Sequence, residues 1–283
     1  MTKTDLGPVQ AHMVPRNCPA ARCIRASRPG FFIATALLFT VSAAVTVEWC
    51  ASMSAMGEMT MPGGWTLSMA WMWMPTGTWF GSATSFLGMW IVMTVAMMLP
   101  SLVPMLWRYR EAVDGISEPW PGRLTALVAL GYFSVWTAFG MAVFALGAAL
   151  AAVEMRHAML ARAVPVAIGL VVLIAGALQF TAWKAHHLAC CRAAPHGHAM
   201  LPANAGRAWR HGVRLGLHCS YCCAGLTAIL LVMGVMDLRA MAIVTAAITL
   251  ERLAPAGERV ARAIGAVALA AGLWLIAGAG GFP

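Results

Sequence analysis

The stretch LHCSYCCAGLTAILLVMGVM, residues 217–236, joins two kinds of chemistry in one segment. Its second half is almost entirely apolar, and its first half holds His218, Cys219, Cys222 and Cys223. A helix of about 20 apolar residues crosses the ~30 Å hydrocarbon core of a bilayer. This stretch therefore predicts a transmembrane helix that starts with a group of soft metal ligands.

The composition extends this prediction to the whole chain. The 283 residues are 61% hydrophobic and only 10% charged, whereas soluble domains carry about 25% charged residues. Apolar runs occupy residues 31–50, 86–107, 124–150, 164–183, 215–236, 240–253 and 264–281. These runs predict an all-α protein, a polytopic transmembrane helical bundle of about seven spans. Six spans are the fallback, because the run at 240–253 is short.

The positive charges predict the orientation of the bundle. With the N-terminus placed in the cytosol, all but Arg156, Arg162 and Arg239 of the 19 lysines and arginines fall on the cytosolic side. Positive residues concentrate in cytosolic loops, so the N-terminus is predicted to be cytosolic. The same asymmetry accounts for the net charge of +9 without a nucleic-acid partner.

Domain organisation follows from the same pattern. Residues 1–30 are basic and proline-containing, which predicts a disordered cytosolic N-terminus, and the first apolar run is predicted to stay as a signal anchor. Residues 31–283 are predicted to form a single transmembrane domain. Residues 51–85 would be a Met/Trp-rich outside loop, and residues 184–214 a Cys/His-rich inside loop.

Two groups of cysteine and histidine flank this inside loop, so the fold could bring them together. In a helix, His186 pairs with Cys190 and His187 with Cys191, each at i, i+4 on one face. The second group adds a stripe at i, i+7 and i+11, with a Cys-x-x-Cys beside it. The predicted metal ligands are His186, His187, Cys190, Cys191, His211, His218, Cys219, Cys222 and Cys223.

Three interpretations of these residues stay open. Thiolate and imidazole ligands suit copper and zinc. Cys219 and Cys222 also have the spacing of a dithiol–disulfide redox pair. Finally, cysteines are small, apolar and common in buried helices, so they could simply pack.

The outside loop predicts a second, outer copper site. Its candidate ligands are Met53, Met56, Met59, Met61, Met72 and Met74. Thioethers bind Cu(I) well and hard cations poorly, and they do not form disulfides in an oxidising compartment. The alternative is a Met- and Trp-rich segment that lies in the lipid headgroups.

Five polar residues lie in or near the ends of the predicted spans. Lys184 and Arg192 are expected to anchor the fourth span at the headgroups. Glu251 and Arg252 are expected to meet the same interface together. Gln179 either supports the histidines or bonds another helix.

Several of these stretches together resemble a bacterial family of predicted metal-binding integral membrane proteins, a domain of unknown function. The resemblance covers roughly residues 86 to 279. It rests on Met97-Met98-Leu99-Pro100, Gln179 to Arg192, His218 to Cys223, Gly234-Val235-Met236-Asp237-Leu238, and Glu251-Arg252. It implies a multi-span bundle with a cysteine-rich start to one late span, a metal-binding role and a place in the bacterial inner (cell) membrane.

Three functions remain open. The first is copper handling, in which Cu(I) is bound at the cytosolic face and passed across the membrane or to a partner membrane or metallochaperone protein. The second is a membrane metalloenzyme, a copper-dependent oxygenase acting on apolar substrates, with ligands among His186, His187, His211 and His218. The third is a thiol-redox protein. The expected partners are the lipid bilayer and a metal ion, with copper favoured and zinc the alternative.

Overall fold

The computed structural model describes residues 19–55, 59–60, 66–67, 79–114, 121–192 and 204–279. These ranges form eight helices and one pair of two-residue strands. The helices are α1 (Pro19–Ala55), α2 (Trp79–Asp114), α3 (Pro121–Arg156), α4 (Ala158–Leu178), α5 (Ala182–Arg192), α6 (Ala205–Met233), α7 (Leu238–Leu253) and α8 (Gly257–Ala279). The strands β1 (Met59–Thr60) and β2 (Thr66–Leu67) pair antiparallel. The predicted all-helical class is confirmed.

Five of the described helices, α1, α2, α3, α6 and α8, are long and apolar enough to cross a membrane. A sixth span results if the bent pair α4 and α5 counts as one. Helix α7 has only 16 residues, and this length is short for a span of ~30 Å. The structure therefore supports five or six spans, and the predicted count of seven and the cytosolic N-terminus stay predictions.

Helices extend into segments that the sequence suggested were loops. Helix α1 begins at Pro19, inside the stretch predicted to be disordered, and residues 1–18 lie outside the described residues. It ends at Ala55, and α2 begins at Trp79, so part of the predicted outside loop is helical. On the other side, α5 reaches Arg192 and α6 starts at Ala205.

The predicted fourth span is broken, and this break positions the site. Helices α4 and α5 meet at an angle of 66°. The backbone tightens there, because the amides of Gln179, Phe180 and Thr181 each bond the carbonyl three residues earlier. The hydroxyl of Thr181 then accepts a bond from the amide of Lys184 at 3.3 Å, which helps to start α5. As a result α5 turns away from α4 and packs against α6.

The two ends of α6 and the start of α7 carry recognisable signals. Asn204 caps α6 by accepting a bond from the Gly206 amide at 3.0 Å. Helix α6 stops at Gly234, whose φ of 122° is favourable only for glycine. Asp237 then caps α7, with its carboxylate accepting from the amides of Arg239 and Ala240.

Glycines allow α6 to approach α3 very closely. A Cβ atom built on Gly212 would run into the backbone carbonyl of Val128. A Cβ atom on Gly131 of α3 would lie only 2.5 Å from the carbonyl oxygen of Trp209. Small residues at helix contacts bring backbones together in membrane bundles in this way. The close contact places the buried face of α3, which includes Tyr132, directly against the cysteines of α6.

Candidate metal centre

Four buried cysteines from two helices meet in the core of the bundle. Cys191 comes from α5, and Cys219, Cys222 and Cys223 come from α6; we call these four the thiol cluster. Their exposed fractions are 1%, 0%, 2% and 1%. The sulfurs of Cys219 and Cys223 lie 3.8 Å apart. Cys222 interacts through its thiol with both Cys191 and Cys223, so the four side chains form one connected group.

Two donors converge on the sulfur of Cys219. The hydroxyl of Tyr132 donates to it at 2.9 Å, and the guanidinium of Arg252 donates at 3.3 Å. Arg252 is itself buried, with an exposed fraction of 5%. It also contacts the hydroxyl of Ser101 at 2.9 Å and the thioether of Met105 at 3.4 Å. A buried cation therefore places positive potential at one edge of the thiol cluster.

One nitrogen of this guanidinium is left without a hydrogen bond in the described part of the protein. The Nε atom of Arg252 is buried and has no hydrogen-bond partner among the described residues. Buried polar groups are nearly always paired, so an unpaired one calls for an explanation. An anion bound along the Nε edge of this guanidinium would be such a partner.

A buried ion pair supports the other edge of the cluster. The ammonium of Lys184 lies 2.7 Å from the carboxylate of Glu251, and both side chains are at most 5% exposed. The same ammonium donates to the carbonyl oxygen of Cys222 at 2.6 Å. The amide of Gln179 donates to the Glu251 carboxylate at 3.0 Å. Lys184 therefore links α5, α6 and α7.

These contacts correct the expectation that the charges lie at the lipid interface. Lys184, Glu251 and Arg252 are all buried, and each has a polar partner inside the bundle. Arg192 is half-buried and donates to the carbonyl oxygens of Glu251 and Pro255 at the end of α7. The expectation fails because sequence position places a charge near a span end but does not say whether it faces lipid or protein. For Gln179, the prediction of a bond to another helix is confirmed.

The predicted histidines do not all gather at one point. The Nδ1 atoms of His187 and His218 lie 3.2 Å apart, so one ring must donate and the other accept. His186 is exposed and lies beside Cys190, with 3.7 Å between Nε2 and the sulfur. His211 stacks on Tyr109, with ring centroids 5.5 Å apart. The structure thus joins the first and second groups through the His187–His218 and Cys191–Cys222 contacts, while His211 is engaged with α2.

Comparison with known proteins places most of the chain in a copper-related family. A family model described as PpoB2, copper chaperone, matches residues 87–275, which is about two thirds of the chain. The chain belongs to the PpoB2 copper chaperone family. Searches of curated proteins and of solved structures found no match. The matched region contains every residue of the thiol cluster and its buried charges.

The PpoB2 family is described as a copper chaperone family, so we asked whether the described side chains already form a metal site. In the part of the chain that the structure describes, no group of three or more His, Cys, Asp or Glu side chains is arranged to hold a metal ion. The thiols are adjacent, with 3.8 Å between the sulfurs of Cys219 and Cys223.

The predicted outer copper site lies almost wholly outside the described residues. Met53 is half-buried at the end of α1. Met59 belongs to β1, but its side chain is outside the described set, as are Met56, Met61, Met72 and Met74. The outer site therefore stays a prediction.

Sequence reasoning missed the residues that surround the sulfurs. Tyr132 and Ser101 were not proposed, and Arg252 was assigned to the interface. A signal was present, because charged residues within membrane helices usually face the interior and serve function. The adjacent Glu251 and Arg252 on an apolar helix fit that rule. Tyr132 had no such signal, since a tyrosine in an apolar run also fits ordinary packing.

Proposed function

We propose that this protein is an integral membrane copper chaperone that holds Cu(I) between thiolates of the thiol cluster. The observation that carries the proposal is the contact of the buried Arg252 guanidinium with the sulfur of Cys219. A buried cation beside four thiols is costly unless a negative charge offsets it. A copper–thiolate complex supplies such a charge.

The charges balance when Cu(I) is bound by two thiolates. Two thiolates and one Cu(I) carry one net negative charge, and Arg252 carries one positive charge. Lys184 and Glu251 cancel each other across their 2.7 Å contact. The loaded site is then neutral, which is the favourable state for a group buried in a membrane protein.

The sulfur spacing also favours a shared ion. With metal–sulfur bonds of about 2.3 Å, two sulfurs on one ion lie about 3.8 Å apart in tetrahedral geometry and about 4.6 Å apart when linear. The 3.8 Å between Cys219 and Cys223 falls at the short end of this range. Soft thiolates select Cu(I), and two or three of them satisfy it.

We also propose a location and orientation for the chain. The protein would be a multi-pass protein of the bacterial inner membrane with a cytosolic N-terminus, because nearly all of its lysines and arginines then lie inside. In this arrangement the bent pair α4 and α5 forms the fourth span, and the short α7 is the sixth of seven. In this orientation α5 ends and α6 begins on the cytosolic side, and Cys219, Cys222 and Cys223 lie about halfway along α6.

Metal content of the purified protein tests this function. The wild-type chain in detergent, supplied with Cu(I) under anaerobic and reducing conditions, is expected to bind about one copper per chain. Cys219→Ser and Cys223→Ser are each expected to lose it. Cys50→Ser is the matched control, because Cys50 is equally buried but contacts Met236 at the far end of α6.

Each other outcome contradicts the proposal in a distinct way. Zinc in place of copper would assign a structural or hydrolytic site. A protein that binds no metal but forms a Cys219–Cys222 disulfide on mild oxidation would be a thiol-redox protein. Equal loss of copper in Cys50→Ser would mean that the substitutions act through folding, and the thiol cluster would then have no special role.

A further inference from the structure

A cavity of about 240 Å³ opens beside the thiol cluster. It lies between α2 and α6, where Met105 and Arg108 face His211, Arg214 and His218, and Cys190 of α5 closes one side. These side chains line one cavity because of helical spacing. Residues 211, 214 and 218 lie on one face of α6, and residues 105 and 108 lie on one face of α2.

The inner wall of this cavity is one contact away from the thiol cluster. Met105 lines the cavity and accepts a bond from Arg252, whose other nitrogen bonds the sulfur of Cys219. His218 also lines the cavity and precedes Cys219 in the chain. A thioether, a thiol and two imidazoles therefore line the cavity, from Met105, Cys190, His211 and His218, and all four are soft or borderline copper ligands.

The mouth of the cavity is positively charged. Arg108 and Arg214 are exposed, and no acidic residue is among the lining side chains. Among the described residues, the Lys184–Glu251 contact is the sole ion pair, so neither arginine is neutralised within that set. A positive opening repels a bare copper cation and attracts an anion. Soft walls with a positive mouth thus suit copper that arrives inside a negatively charged complex.

We propose that this cavity is the entry site for copper and that it receives Cu(I) as an anionic complex with a carboxylate-bearing thiol. This inference rests on the proposed copper-binding function and identifies the form in which copper is taken up. Arg108 and Arg214 attract the carboxylates of the carrier, and Met105, Cys190 and His218 hold the metal while the carrier leaves. The metal then passes Met105 and reaches Cys219.

The transfer is a ligand exchange without oxidation or reduction. Two copper–sulfur bonds to the carrier break, and two copper–sulfur bonds to the protein form. Copper stays Cu(I) throughout. Each of the two protein thiols gives up its proton, and each departing carrier thiolate takes one, so charge and atoms are conserved. No oxidant or other reactant is needed.

Three carriers that differ in charge test the proposal. Cu(I) is supplied to the full-length protein as its complex with 3-mercaptopropionate, 2-mercaptoethanol or cysteamine, which bear a carboxylate, a hydroxyl and an ammonium group. The protein is held in phosphatidylcholine nanodiscs. Loading is stopped at set times with excess bathocuproine disulfonate, and protein-bound copper is measured. We expect loading from the 3-mercaptopropionate complex to be about tenfold or more faster than from the cysteamine complex. Added salt is expected to reduce this ratio.

Matched variants assign the preference to the cavity. Arg108→Gln together with Arg214→Gln is expected to bring the rates from the three carriers to within about twofold, while the amount of copper bound at saturation stays unchanged. Arg239→Gln makes the same change on an exposed residue at the opposite end of α7 from Arg252, and it is expected to preserve the preference. Both cavity arginines are exposed, so these variants leave the packing intact.

The outcomes separate this inference from the proposed function. Equal rates from all three carriers in the wild-type protein, with normal copper at saturation, would overturn the entry site and leave copper binding intact. Absence of copper from every carrier would remove the proposed function itself. In a second set of nanodiscs that contain phosphatidylglycerol, arginine variants that retain less of this lipid after detergent extraction but load copper as the wild type does would show that the mouth serves lipid headgroups, and the inference would be refuted.

Discussion

The buried pair of Lys184 and Glu251 offers the sharpest test of the structure. The two charges are 2.7 Å apart, and their side chains are 5% and 1% exposed. At an effective dielectric constant of about 20, their attraction is about 6 kcal/mol. Removing one partner leaves the other charge buried without compensation, which typically costs about 3–5 kcal/mol. We expect Lys184→Met and Glu251→Gln each to reduce the free energy of unfolding by that amount.

The two single variants and the double variant form a double-mutant cycle, in which the double variant gives the decisive result. Lys184→Met with Glu251→Gln removes both charges, and the new amide can still accept the bond from Gln179. Replacing both members of a buried pair by neutral groups is often close to neutral, so we expect a loss of only about 1 kcal/mol. The double variant should therefore be more stable than either single variant.

Denaturation with sodium dodecyl sulfate in mixed micelles, followed by tryptophan fluorescence, measures these free energies. Arg259→Met is the control, because Arg259 is exposed and its removal is expected to change stability by less than about 0.5 kcal/mol. If the losses of the two single variants simply add in the double variant, the two charges do not compensate each other. The account of the buried ion pair would then be wrong.

Three further predictions concern the site and its frame. Arg252→Met is expected to weaken Cu(I) affinity about 10- to 100-fold in a competition assay, whereas Arg252→Lys, which keeps the charge, should lose less. Gly212→Ala should lower the free energy of unfolding by at least about 1–3 kcal/mol, because the new methyl group meets the backbone of Val128. Gly88→Ala is the control, because its Cβ atom would lie in open space, and it should not destabilise the protein in the same denaturation assay. Asp237→Ala should lower stability by about 1 kcal/mol through loss of the α7 cap, and Asp237→Asn should retain most of it.

The sequence predicted the number of membrane-spanning helices only approximately. Long apolar runs identify α1, α2, α3, α6 and α8 because each one satisfies the length and hydropathy of a span by itself. The break at residues 179–181 was not predictable, since Gln179, Phe180 and Thr181 contain neither proline nor glycine. It depends on tight backbone turns and on the Thr181 hydroxyl, which only the folded chain displays.

Part of the candidate site was also predictable from the sequence. Helical spacing correctly placed Cys219 beside Cys223 and His186 beside Cys190, since residues four apart share a face of any helix. The same reasoning could not say that His211 would stack on Tyr109 instead of joining the other ligands. That choice depends on which face of α2 meets α6.

The sequence by itself determined the membrane setting, the helical class and the local grouping of soft ligands, because these follow from composition and from the period of one helix. Tertiary structure alone decided that Cys191 meets Cys222, that Tyr132 and Arg252 reach Cys219, and that Lys184 pairs with Glu251. The physical reason is that the period of one helix sets which side chains share a face but not which neighbouring helix that face meets. Only the packing of helices distant in sequence supplies the partner that makes a buried orientation favourable.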